Sequence, residues 1–471
     1  MHGKPHAKHS HAALLWLLCL AQLMVILDIS AVNVALPDMA GDLGIAGGAI
    51  GWAVTSYSLT FGSLLLLGGR LADLVGRRRT FLTGLAVFTL ASAGAASAGS
   101  EGALFAARAV QGVGAAMLSP AALSIIMATF TGGAERAAAL GVWGAVGGAG
   151  AAIGVLLGGA LTAAVGWDAI FLINLPLGVG VAVAAMHVVP ADARPPRWTG
   201  LDLPGALLAT ASLGTLVYAL SQASTAGWGA PRTLALIGAA LAGLAAFAAF
   251  ERRAASPLLR VERLADRGVG GGFAMMLAVS SILFGSFLLT SLYLQHVLGT
   301  GAMATGLAFL PLAVAIAAGV HAGSHVVTKA GVRGPMAAGF AVVAGGMLLL
   351  SGADASGSYV ADVLPGMLVA GIGLGTVLVA VAVSVMTGAR EAETGMLSGL
   401  NTSGHEIGGS IGIAALAAIA AGPATGAGGI GDAFLAAGAV AAVAGLAALV
   451  VLPPAAAFLP KLRLAPPVAV H

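Results

Sequence analysis

Residues 69–79 read Gly69-Arg70-Leu71-Ala72-Asp73-Leu74-Val75-Gly76-Arg77-Arg78-Arg79. This charged break separates two apolar runs, near 49–69 and 79–98. Each run matches the roughly 20 residues that a helix needs to cross a bilayer. Gly69 and Gly76 permit a tight turn and a close approach of neighbouring helices. Asp73 can accept charge-assisted hydrogen bonds from a helix end or from an arginine. Three consecutive arginines would anchor the turn on the side of the membrane that resists translocation. An anchor needs only those arginines, so the glycines and the acid ask for a second role.

Outward from this break the pattern repeats. The same rule gives about fourteen apolar segments. They lie near 12–36, 49–69, 79–98, 102–129, 137–164, 169–189, 204–222, 232–250, 269–295, 303–323, 335–351, 360–386, 395–421 and 431–452. The 471 residues are 59% hydrophobic and only 8% charged, against about 25% charged in soluble domains. Lipid is therefore the expected solvent, and the chain is expected to be an all-α, multi-pass protein of the cell (inner or plasma) membrane. With the N-terminus inside, every Lys and Arg except Arg108 and Arg232 falls at the inner face. Lys461 and Arg463 place the C-terminus there too. The net charge of +3 then reflects loops facing anionic lipid, and no nucleic-acid partner is expected. Cys19 is the single cysteine, so no internal disulfide can form. The first segment continues through Pro37 without a small-residue cleavage site and reads as a retained helix.

Two charged linkers, 190–203 (PADARPPRWTGLDL) and 251–268 (ERRAASPLLRVERLADRG), divide the chain. The expected organisation is an N-terminal tail (1–11), a six-helix bundle (12–189), linkers with two inserted helices (190–268), a second six-helix bundle (269–452) and a C-terminal tail (453–471). Two pseudo-repeats of six helices are a common transporter plan. The inserted pair carries no buried charge in this reading and is expected to be peripheral. His2, His6, His9 and His11 lie in the tail, where scattered histidines more often bind nothing. No metal is expected.

The 69–79 string resembles the signature loop of the major facilitator superfamily, where that loop is a conformational latch between two halves. The resemblance makes Gly69, Asp73, Gly76 and Arg77 the latch residues. Leu27-Asp28-Ile29-Ser30-Ala31-Val32-Asn33-Val34-Ala35-Leu36-Pro37 is similar to a helix-1 string of the 14-helix drug/proton antiporter branch. Arg108-Ala109-Val110-Gln111-Gly112-Val113-Gly114-Ala115-Ala116 matches its R-x-x-Q-G-x-G-A-A string. Gly399-Leu400-Asn401-Thr402-Ser403-Gly404-His405-Glu406-Ile407-Gly408-Gly409 resembles a third. Trp167 to Gly178, with Asn174 and Pro176, resembles the turn that closes the fifth helix. Three departures stand out. His405-Glu406 replaces Arg-Gln, Val155 replaces the proline of a Gly-Pro signature, and Asp168-Ala169 replaces Arg-Trp.

Asp28 and Arg108 both lie inside apolar spans. A carboxylate there costs several kcal/mol unless it is paired, solvated or protonated. An acid that alternates between such surroundings can load and release a proton. Arg108 cannot readily lose its own proton, so it is a fixed charge that modulates the acid or holds helix 4 against helix 1. A purely structural Asp–Arg pair is the alternative. Ser398, Thr402, His405 and Gly409 recur on one helical face, with Glu406 about 100° round the helix. His405 and Glu406 are thus a second titratable pair, either facing a central cavity or packing on a neighbouring helix. Gly144 and Gly148, and then Gly150, Gly154 and Gly158, recur every four residues and suit backbone-to-backbone helix contact.

There is no G-x-x-x-x-G-K-S/T, H-E-x-x-H or G-x-S-x-G string. ATP is not the direct power source, and neither catalysis nor a cofactor is expected. The resemblance implies a monomeric, proton-driven exporter of a small amphipathic drug or antibiotic, working by alternating access. A proton-linked carrier of an endogenous metabolite is the alternative within transport. A non-transporting membrane sensor or scaffold is the alternative outside it.

Overall fold

The computed structural model describes residues 5–45, 52–130, 133–192, 202–254, 257, 259–354, 357–387, 389, 393–420 and 427–463. His2 and the arginines at 194, 197 and 390 lie outside the described residues. So do the side chains of His6, His9, Pro37, Gly148, Lys461 and Arg463.

The described chain is helical, with no β-strand among the described residues. A first group holds α1 (Pro5–Leu43), α2 (Trp52–Val75), α3 (Arg77–Ala96), α4 (Glu101–Thr129), α5 (Gly133–Ala164), α6 (Ala169–Leu172) and α7 (Asn174–Val188). The inserted pair is α8 (Leu203–Ala226) and α9 (Pro231–Glu251). A second group holds α10 (Val269–Leu292), α11 (Ala302–Ala308), α12 (Leu310–Ala330), α13 (Arg333–Ser351), α14 (Leu364–Met386), α15 (Thr394–Ala420) and α16 (Ala427–Val451). The short α17 (Ala455–Arg463) follows. Helix lies at each of the fourteen expected stretches. Among the described residues, 11 stretches are long and apolar enough to cross a membrane. The pieces Ala138–Gly147, Ile153–Ala164 and Pro204–Leu220, from α5 and α8, are shorter. α15 is not among the 11, because its first half carries Ser, Thr, Asn, His and Glu.

Helix starts follow local chemistry. Ser100 Oγ accepts from Ala103 N at 3.3 Å and caps α4. α3 begins at Gly76, whose φ of 117° suits glycine. The Asp192 carboxylate accepts from the Arg78 and Arg79 amides there, at 3.1 and 3.0 Å, and so ties the end of the first group to the arginine run.

Packing relies on small residues, as expected where lipid offers no hydrophobic drive between helices. Gly150, Gly154 and Gly158 of α5 meet Ile26, Ser30 and Ala31 of α1. A Cβ on Gly154 would lie 3.1 Å from Leu27 O, so these glycines set the α1–α5 distance. Gly144 turns elsewhere, toward Leu378 of α14 at 3.8 Å.

The two groups touch along two seams, α2 with α15 and α5 with α12. Of the inserted pair, α8 packs on α9, α2 and α15. Glu251, ending α9, is a buried acid that accepts from Leu259 N at 3.1 Å.

Candidate functional site

Asp28 sits midway along α1 and is 1% exposed. α4 brings Arg108 and Gln111 to it from one turn, since residues three apart share a helix face. Arg108 Nη1 donates to Asp28 Oδ2. Gln111 Nε2 donates to Oδ1 at 3.1 Å, and Asn174 Nδ2, from the first turn of α7, donates to the same oxygen at 3.2 Å. Both amides also donate to Ser92 Oγ of α3, at 2.7 and 3.3 Å. Arg108 is fully buried. Its Nε donates to Ala53 O of α2 at 2.8 Å, and its Nη1 also donates to Gln111 Oε1 at 2.8 Å. Its guanidinium lies 4.4 Å from the Tyr57 ring centroid and 5.7 Å from that of Phe171, within cation–π range.

Each polar contact made to the Asp28 carboxylate among the described residues comes from a hydrogen-bond donor, so its lone pairs are matched from α4 and α7. The expected Asp28–Arg108 pair is present. Gln111 and Asn174, read from the motifs, join it as direct partners. Ser92 was missed: a lone serine in an apolar run carries no motif, and only its mid-span position sets it apart. Gly112 lets α4 approach α2, since its Cβ would lie 2.5 Å from Tyr57 O. Asn33 is exposed and donates to Ile29 O at 2.8 Å, away from the cluster. Pro176 lies in the first turn of α7.

At the end of α2, Asp73 faces the start of α15. Gly395 N donates to Oδ1 at 2.9 Å and Met396 N to Oδ2 at 3.1 Å. A carboxylate at a helix N-terminus meets unpaired amides and the positive end of the dipole. Arg77 Nη2 donates to Thr394 Oγ1 at 3.0 Å, and Ser124 of α4 lies 3.2 Å from the same hydroxyl. Gly69 and Gly395 meet backbone to backbone, and a Cβ on Gly399 would lie 2.7 Å from Leu65 O. One turn away, Glu393 (4% exposed) pairs with Arg260 at 3.0 Å and Arg263 at 2.7 Å. The linker that follows the inserted pair is thereby strapped to the same helix end.

In α15, His405 Nδ1 lies 2.7 Å from Ser280 Oγ of α10, and its ring packs edge-on against Phe284 at 5.0 Å. His405 therefore packs on a neighbouring helix. Asn401 is buried on α15, and its Oδ1 has no hydrogen-bond partner among the described residues. Glu406 is half-buried, and its carboxylate makes no hydrogen bond or ion pair among the described residues. His405 and Glu406 thus part company. No cluster of three or more potential metal ligands occurs among the described residues.

Residues 18–413 match the family model described as Major Facilitator Superfamily. The chain is 39% identical to the puromycin resistance protein of Streptomyces alboniger, over 84% of this chain and 79% of that protein. It is also 39% identical to the cephamycin export protein of Amycolatopsis lactamdurans, over 88% and 86%. Among solved structures it is similar in fold to the proton:xylose symporter XylE, with TM-score 0.67 and 14% identity, over 95% of this chain and 97% of that one.

Proposed function

Because the chain belongs to the major facilitator superfamily, and is accordingly a non-enzymatic, multi-pass protein of the cell membrane, we propose that it exports a small amphipathic antibiotic or drug in exchange for protons. The observation that carries this reading is the buried Asp28 carboxylate, which accepts hydrogen bonds from Arg108, Gln111 and Asn174. A proton arriving at Asp28 frees Arg108 from its partner and so changes what α1 and α4 hold in common. Glu406 offers a second titratable group from the other half, exposed enough to meet cargo.

The cycle is alternating access, with the two helix groups rocking about the midplane. The Asp73–α15 contact seals the cytoplasmic side while the outer side releases cargo. Each inward proton is worth about 2.3 kcal/mol per 100 mV, enough for a gradient of roughly 50-fold. The drug-resistance and export relatives support the cargo class. The chain acts as a monomer, since each half supplies one of the two acids.

The test is proton release from inverted vesicles carrying an acid interior. A panel of cationic, neutral and acidic compounds is added while interior acidity is followed. A compound that collapses the gradient with the native protein and not with Asp28→Asn supports antiport and reports the cargo class. No response to any compound, with folded protein present, would overturn it.

A further inference from the structure

Arg108 is 0% exposed, so its charge has no solvent to turn to. Among the described residues, Asp28 is the one acid bonded to it. Its other contacts are neutral. Ala53 O and the Tyr57 ring come from one turn of α2, four residues apart on a single face. Gln111 Oε1 comes from α4 itself, and the Phe171 ring comes from α6. Each ring has an aromatic neighbour of its own. Phe61 lies 5.6 Å from Tyr57, and Trp167 meets Phe171 edge-on at 6.2 Å. Thr60 Oγ1 donates to Ala109 O at 2.8 Å and fastens the same stretch of α2 to α4. The Tyr57 hydroxyl is buried without a hydrogen-bond partner among the described residues. The ring is therefore what this side chain brings to the cluster.

We propose that Tyr57 and Phe171 are positioning residues, an aromatic cage that holds the Arg108 charge while Asp28 is protonated. Removing one charge of a buried pair leaves the other uncompensated, which is strongly destabilising. The face of an aromatic ring is negative and attracts a cation most where water is absent. That attraction grows when the carboxylate no longer neutralises the guanidinium. The two rings, Gln111 Oε1 and Ala53 O then keep Arg108 in place, and none of them belongs to α1. The proton therefore lets go of α1 and leaves α2, α4 and α6 joined. α1 packs on α5 through Gly150, Gly154 and Gly158, and α5 carries the seam with α12. The release is thereby passed toward the second group of helices. This rests on reading Asp28 as the group that takes up the proton.

The charged and titratable groups that meet here are Asp28 from α1, Arg108 from α4 and Tyr57 from α2, with Glu406 of α15 within electrostatic reach of Tyr57. α3, α6 and α7 bring the neutral Ser92, Phe171 and Asn174. The test follows the infrared carbonyl stretch of the protonated Asp28 carboxyl as pH is varied, in the full-length protein in lipid without cargo. The Asp28 band is the part of the signal absent from Asp28→Asn. The cage stabilises the protonated form, so losing a ring moves the midpoint to lower pH. Tyr57→Leu lowers it by about one pH unit, a tenfold weaker hold on the proton. Phe171→Leu lowers it less, since that ring lies farther from the guanidinium. Tyr57→Phe keeps the ring and the native midpoint. A ring that merely fills space would lower the melting temperature of Tyr57→Leu and leave its midpoint alone. An unmoved midpoint in Tyr57→Leu, or an equal shift in Tyr57→Phe, would overturn the cage. If Tyr57→Leu does not fold, Phe171→Leu decides on the same criterion. Absence of an Asp28 band at every pH would sink the reading of Asp28 together with the cage. A titrating band whose midpoint ignores the rings sinks the cage alone.

Discussion

The Gly395 amide donates to Asp73 Oδ1 at 2.9 Å, joining residues 322 apart in sequence and the two helix groups at one end. The neighbouring Met396 amide takes the other oxygen. One acid thus caps a helix that belongs to the opposite half.

Asp73→Asn keeps the shape and removes the charge. Hydrogen bonds to charged groups are worth about 1.5–3 kcal/mol, so one such loss slows export about tenfold or more. Efflux from cells at matched protein abundance measures it. An unchanged rate would count against a latch.

Gly69→Ala places a methyl group on the Gly395 carbonyl, whose carbon would lie 2.9 Å away. Backbone cannot yield as a side chain can, so the halves are held apart at this end. Overpacking costs about 1–3 kcal/mol. Expected are a larger loss of export than for Asp73→Asn and greater thiol access to a cysteine introduced at Thr394.

Arg108→Lys retains a cation and loses the fork that reaches Asp28, Gln111 and Ala53 O together. The variant folds but exports at least tenfold more slowly. Arg108→Leu leaves Asp28 buried with no cation, a loss of about 3–5 kcal/mol. It melts well below the native protein in a detergent thermal-shift series. Equal melting of the two variants would contradict the pairing.

Glu393→Gln weakens the strap to Arg260 and Arg263. Arg260 and Arg263 are 50% and 25% exposed, so trypsin gains access once the linker is freed. Cleavage between residues 259 and 268 should rise several-fold, and a digestion time course shows it.

The helices were legible because apolar runs of spanning length and charged breaks are one-dimensional signals. The Asp28–Arg108 pair was legible for a similar reason, since charge in an apolar run needs a partner. What each helix turns toward was not. Spans apolar on nearly every face give no azimuth, so His405 and Glu406 read as one pair while the fold turns His405 to α10 and leaves Glu406 half-buried apart from it. Gly144 read as part of the α5 glycine row for the same reason. α15 is less apolar than the other spans, and its Ser398, Asn401, Thr402 and Ser403 are buried against other protein. The docking of α8 on α2 and α15 depends on contacts such as Val217 against Gly62, which no local pattern announces.

That docking has a consequence for how a membrane-dissolved molecule could reach the interior. A cavity between two rocking halves has two flanks through which a molecule can slip sideways from the bilayer. α8 roofs one of them. It packs on α2 and α15, and in the turn that follows it Trp228 Nε1 donates to Ala414 O of α15 at 3.4 Å. If cargo enters sideways from the bilayer in the proposed cycle, entry is expected along α5 and α12. A hydrophobic photo-label carried in the lipid should mark that flank and spare the other.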